Sequence, residues 1–181
     1  MKICSVFGNT TEELMLSEQV KGKDWKQLGK YINRQLIRKI EDGYDYFLVI
    51  PFKGVGLFVL GLLVKLKSNY PIEVISLLPY RDFYNNWDST NFRLIDKYIK
   101  QSEIVILDEQ NSMRNKFVNK GSYDSLKIKE CVDYGLSKSD SALFVFNSDI
   151  STLTWININS SVKRRILTTV ILTTDYIVYD I

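Results

Sequence analysis

The chain reads as an α/β protein, a three-layer Rossmann-like fold with a mostly parallel sheet and helices on both faces. Three observations predict it. Short runs of branched and aromatic residues recur along the 181 residues, as expected of strands covered on both faces. Stretches with apolar residues at helical spacing separate them, and strands alternating with helices build a parallel sheet. No Pro/Gly/Ser-rich linker divides the chain, and 45% hydrophobic content suffices for one sizeable core. Residues 1–181 are therefore expected to form a single domain.

Residues 3–7 predict the first strand. Gly8, Asn9 and Thr10 end it in a turn that offers amide and hydroxyl groups to a ligand, or makes an ordinary Asx or ST turn. Residues 11–23 are polar with little periodicity and read as a loop or flap. Trp25, Leu28, Ile32, Leu36 and Ile40 then recur at helical spacing, and Gly43 closes the helix.

The stretch YDYFLVIPFKGVGLFVLGLLVKLK, Tyr44 to Lys67, is the part around which the rest is organised. Residues 46–50 predict a central strand ended by Pro51. Lys53, Gly54 and Gly56 occupy a strand-to-helix turn, where glycine lets backbone approach a ligand and the first N–H groups of a helix can face an anion. That chemistry suits phosphate or carboxylate; the alternative is a plain tight turn beside a solvated lysine. The following helix has no charged side chain over residues 55–64. One face should pack on the sheet and the other on more protein, a second subunit, so a homo-oligomer is expected. A membrane span over residues 47–64 is rejected, because Pro51, Lys53 and the glycines break the run.

Residues 72–78 predict a third strand ended by Pro79. Tyr80, Phe83, Tyr84 and Trp87 follow in a loop that either stacks on a flat ligand or covers the sheet edge. Phe92, Ile95, Tyr98 and Ile99 form the next helical stripe, capped by Asp88 or Ser89, and residues 104–107 predict a fourth strand. From 108 to 129 the chain is polar and basic, with Arg114, Lys116, Lys120, Lys127 and Lys129. This is a loop over an anionic ligand or a solvated face. Ser139 and Asp140 introduce a fifth strand, 142–146, with its charged edge expected on the loop side of the sheet. A short helix over 162–166, a strand over 169–172 and an edge strand over 176–179 complete the order. Ligands are expected at the carboxyl ends of the strands.

Composition narrows the chemistry. A net charge of +3, spread along the chain, lacks the footprint of a dedicated nucleic-acid binder. With no histidine and only Cys4 and Cys131, the usual zinc sets and a histidine-based triad are excluded. No cofactor or metal is expected. The N-terminus shows no signal-peptide pattern, so a cytoplasmic protein with reduced thiols is expected.

With these elements in order, the chain resembles the YpsA-like branch of the SLOG superfamily, Rossmann-like domains related to the LOG nucleotide hydrolases and to DprA. The resemblance spans nearly the whole chain. It is carried by the first strand ending in Gly8, the G-x-G turn at Gly54 and Gly56, and the run YPIEVISLLPYRDFYNNW with its terminal Trp87. The stretches MRNKFVNKGSY and SKSDSALFVF are similar to the family's basic loop and Ser-Asp strand entry. Ile50, Pro51 and Phe52 replace the usual small polar loop. Gly56 and Gly61 stand where acidic residues are usual, and the PGGxGT motif of LOG hydrolases is absent. The resemblance therefore implies a divergent domain that senses or sequesters a nucleotide-derived ligand without catalysis. Gly8, Asn9, Thr10, Lys53, Gly54, Gly56, Tyr80, Trp87, Arg114, Ser139 and Asp140 are its expected contacts. The alternatives are a nucleotide-processing hydrolase using Asp82, Asp133 or Asp140, and a degenerate scaffold.

Overall fold

A computed structural model describes residues 1–16, 22–81, 83–108 and 125–181. Seven strands form one sheet in the order β4-β3-β2-β1-β5-β6-β7. They are β1 (Ile3–Gly8), β2 (Tyr46–Val49), β3 (Glu73–Tyr80), β4 (Glu103–Asp108), β5 (Ser141–Phe146), β6 (Leu167–Leu172) and β7 (Val178–Asp180). Neighbours from β4 through β6 pair in parallel; β7 runs antiparallel to β6. The helices are α1 (Thr11–Leu16), α2 (Gly22–Glu41), α3 (Val55–Lys67), α4 (Ser89–Ile99), α5 (Ser125–Lys138) and α6 (Leu153–Lys163). The expected α/β architecture is therefore present, but its middle strand is β1 rather than β2.

Alternation along each strand sorts the core into two layers. Cys4, Val6, Phe47, Val49, Leu143 and Val145 face Leu28, Ile32 and Leu36 of α2 and Val59, Leu60 and Leu63 of α3. On the opposite face Phe7, Leu48, Phe144 and Phe146 meet Ile128, Val132 and Leu136 of α5 and Ile158 of α6. Every side chain of β5 is buried, as a strand covered on both faces requires.

Part of the apolar surface of α3 is met within the chain, while Phe58, Gly61 and Leu62 border an open groove with Trp25, Leu94 and Tyr98. The helix's sheet-facing side is buried, the Phe58 ring packs on Trp25 of α2, and the Tyr98 ring of α4 lies over Gly61. No helix among the described residues is long and apolar enough to cross a membrane.

Several boundaries differ from expectation. The segment read as a loop over 11–23 contains α1 and the start of α2. Pro79 lies inside β3 instead of ending it. β2 pairs only as far as Ser76, so beyond that point β3 is bonded only to β4 and behaves as an edge, where proline is tolerated. The short helix placed at 162–166 is α6, which begins at Leu153 under a Thr152 cap whose hydroxyl accepts from the Trp155 N–H. The sequence reading assigned no helix over α5. Lys127 and Lys129 belong to it and pair with Glu130 and Asp133 of the same helix rather than lying in a loop.

Candidate functional site

In a doubly wound sheet the strand order reverses at one point, and the crevice outside the carboxyl ends there receives ligands. Here that point lies between β1 and β5, with β2, β3 and β4 to one side and β6 and β7 to the other. A cleft opens there. Its walls are mostly apolar, from Phe7, Ile50, Phe52, Phe144 and Leu153 together with Ile128 and Val132 of α5; its polar lining is Thr10, Glu13, Thr154 and Asn157. Its enclosed volume is about 30 Å³, space for a water or two.

Glu13 organises the polar side. Thr10 caps α1, and the two residues form a reciprocal capping box. The Glu13 N–H donates to Thr10 Oγ1 at 3.3 Å, and the Thr10 N–H donates to Glu13 Oε2 at 2.9 Å. The same carboxylate oxygen accepts from Asn9 Nδ2 at 3.1 Å and from the Thr154 hydroxyl at 3.2 Å. Asn9 in turn takes the Asn147 N–H on its Oδ1 at 2.8 Å, and Asn147 Nδ2 donates to the Glu13 carbonyl at 3.0 Å. The network ties the ends of β1 and β5 to the first turn of α6, and Asn9 and its neighbours are buried.

Two polar groups of the cleft stay open. All the side-chain hydrogen bonds of Glu13 among the described residues fall on Oε2, leaving Oε1 unused. The Asn157 amide is only 5% exposed, borders the cleft and has no hydrogen-bond partner among the described residues. No fully enclosed side-chain N or O atom lacks a partner among these residues, so both open groups are reached from the cleft.

The expected anion site at the start of α3 is built differently. Gly54 adopts φ 103°, and a Cβ there would sit 2.6 Å from the Thr11 amide nitrogen. A Cβ on Gly56 would approach the Ile50 carbonyl oxygen to 2.1 Å. These glycines serve close packing of protein on protein. The Val55 N–H donates to the Asn9 carbonyl at 3.1 Å, the Leu57 N–H to the Phe52 carbonyl at 2.7 Å, and the Thr11 N–H to the Lys53 carbonyl at 3.0 Å. Most of the amides offered to an anion are thus already used. Lys53 turns away, with its Nζ 3.2 Å from Asp88 Oδ2 and 5.3 Å from the centre of the Trp87 ring.

Of the expected contacts, Gly8, Thr10 and Gly56 line the cleft and Asn9 stands just behind it. Tyr80 and Trp87 both pack on Phe83, in a cluster that also takes in Phe52; this aromatic group covers the end of β3. Ser139 and Asp140 are not brought to the site. They precede β5 in a parallel sheet and so lie at its amino end, where Asp140 Oδ2 accepts the Ile3 N–H at 2.8 Å and the Ser139 hydroxyl meets that of Ser5 at 2.5 Å. Arg114 and Asp82 lie outside the described residues. Asp133 is engaged by Lys129 and Arg164, away from the cleft lining. Sequence reading missed Glu13, Asn147, Thr154 and Asn157. The Thr10-x-x-Glu13 spacing was the available signal for the first; nothing in the pattern marks the other three.

The profile of the YspA SLOG family matches residues 4–166. The chain belongs to that family. This SLOG chain is also similar to UPF0398 proteins of several bacteria. It is 34% identical to that of Enterococcus faecalis over 42% of this chain and 44% of the relative. It is 23% identical to that of Halalkalibacterium halodurans over 82% of this chain and 74% of the relative. With the Streptococcus uberis protein it shares 29% over 39% of this chain and 43% of the relative. The matched part thus spans under half of two of these three relatives.

Proposed function

We propose that this SLOG chain binds a nucleotide or nucleotide-derived signal at the cleft between β1 and β5, as a sensing or sequestering domain without catalysis. SLOG membership suggests a nucleotide-related function. The observation that carries the reading is the coincidence of that family with a mostly apolar cleft, polar along one side, at the point where the strand order reverses. The apolar walls suit a base, and the Glu13 side suits a sugar. A nucleoside needs more space than 30 Å³, so binding requires side chains such as Phe52 and Leu153 to move apart, a shift toward an open state selected by the ligand.

The test is equilibrium dialysis of the purified protein against AMP, NAD, ADP-ribose and a cyclic dinucleotide, followed by chromatography of what is recovered. Binding with intact recovery supports the reading. Recovery of a free base would move the assignment to the hydrolase, with Glu13 rather than Asp82, Asp133 or Asp140 as the carboxylate to examine. Absence of binding by all four compounds would remove the proposal.

A further inference from the structure

We infer that Glu13 and Asn157 are the specificity-determining pair of the cleft, and that they take the hydroxyl-bearing edge of a nucleoside while any phosphate stays outside. The inference rests on the reading above and deepens it.

The cleft is a poor phosphate site. Glu13 carries the sole charge among the described residues of its lining, and it is negative. The first turn of α6, whose partial positive charge would draw an anion, already holds the Glu13 carboxylate through the Thr154 hydroxyl. On the α3 side the Val55 and Leu57 amides are spent on backbone carbonyls, and Lys53 is held at Asp88 and Trp87.

The same groups form a good donor-reading site. Oε1 of a carboxylate whose other oxygen is fixed by three donors is a preorganised acceptor, and vicinal hydroxyls of a ribose satisfy it with charge-assisted hydrogen bonds. Asn157 supplies both an acceptor and a donor from α6. No fully enclosed side-chain N or O atom lacks a partner among the described residues, so this amide is open to the cleft, and a ligand that meets both its donor and its acceptor takes the place of water there. The space beside Glu13 in the closed cleft admits a hydroxyl-sized group.

The test uses adenosine, AMP and 2′,3′-dideoxyadenosine as probes, with the parent chain, Glu13→Gln and Asn157→Leu, each also melted thermally. Adenosine and AMP should bind with affinities within about threefold of each other, since the phosphate gains no contact in the cleft. The dideoxy compound should bind at least about tenfold more weakly, as should both probes with Glu13→Gln. Asn157→Leu should weaken adenosine binding at least about fivefold while leaving the melting temperature unchanged or higher, because the amide it removes makes no hydrogen bond among the described residues. That combination is one a packing role would not produce, and it stands even where Glu13→Gln fails to fold. If adenosine binds Asn157→Leu as it binds the parent, or if AMP binds far tighter than adenosine, the inference falls and nucleotide binding at the cleft stands. If no probe binds the parent, both fall together.

Discussion

The first amide of α3, that of Val55, is given to the carbonyl of Asn9 at 3.1 Å. The loop after β1 and the loop after β2 are joined there backbone to backbone, and the isolated bridge between Thr10 and Gly54 repeats the join one residue away. A helix start that looks in sequence like a cradle for an anion is a seam between two loops of the same protein.

That seam makes Gly54→Ala severe. With φ at 103° and a Cβ 2.6 Å from the Thr11 nitrogen, alanine is strained in place and pushes the loops apart, a loss of about 1 to 3 kcal/mol. Chemical denaturation should show a lower midpoint with an unchanged slope.

Lys53→Ala should change AMP affinity by no more than about twofold, since the exposed ion pair with Asp88 is where its charge is used. Its larger effect should be on Trp87, over whose ring the ammonium lies. Tryptophan fluorescence of the variant without ligand reads that change, and calorimetry reads the affinity.

Asp88 gives the pH dependence. The Asn91 backbone N–H, then the Asn91 side-chain amide, then Lys53 donate to its carboxylate and hold it well below the usual carboxylate range. The folded state thus favours the ionised form. Its contribution to the start of α4 is fully present above the unfolded value, about 3.9 for aspartate, and is lost as pH falls through the lower folded value. The Asn91 amide should lose hydrogen-exchange protection across that acid window, and Asp88→Ala should lose it at neutral pH.

Cys4 and Cys131 should be inert in the folded protein. Burial is the main cause that pushes each thiol up to about 12, so neither supplies thiolate at about pH 8. A chromogenic disulfide reagent should titrate two thiols only after denaturant is added. The sign is opposite to that of Asp88: stability falls as pH rises from the unfolded thiol value, about 8.5, toward about 12.

The strands and α2 were legible because burial leaves a periodic imprint: Leu28, Ile32 and Leu36 mark one helix face, and the unbroken apolar run of β5 marks a strand covered twice. α5 left a weaker imprint, with Gly135 inside it to admit the Phe7 ring. Ser139 and Asp140 lie opposite the ligand end because in a parallel sheet the entry of a strand is there, and polarity before a strand does not tell the two ends apart. Gly54 and Gly56 were read as glycines that admit a ligand, whereas they admit backbone. Sequence cannot distinguish these uses, since both require only the absence of a side chain. Asn157 gave no signal, because a missing hydrogen-bond partner exists only in three dimensions.

The contact between Gly56 and the Ile50 carbonyl also limits what this position can become. No side chain can be introduced at position 56 by one substitution, because its first carbon would collide with the main-chain oxygen of Ile50. α3 would first have to withdraw from the end of β2, which means altering Pro51, Phe52 and the residues packed on them. The close approach therefore fixes position 56 as glycine for as long as the helix rests on the strand, and any side chain that varies the chemistry of the cleft must come from elsewhere in its lining.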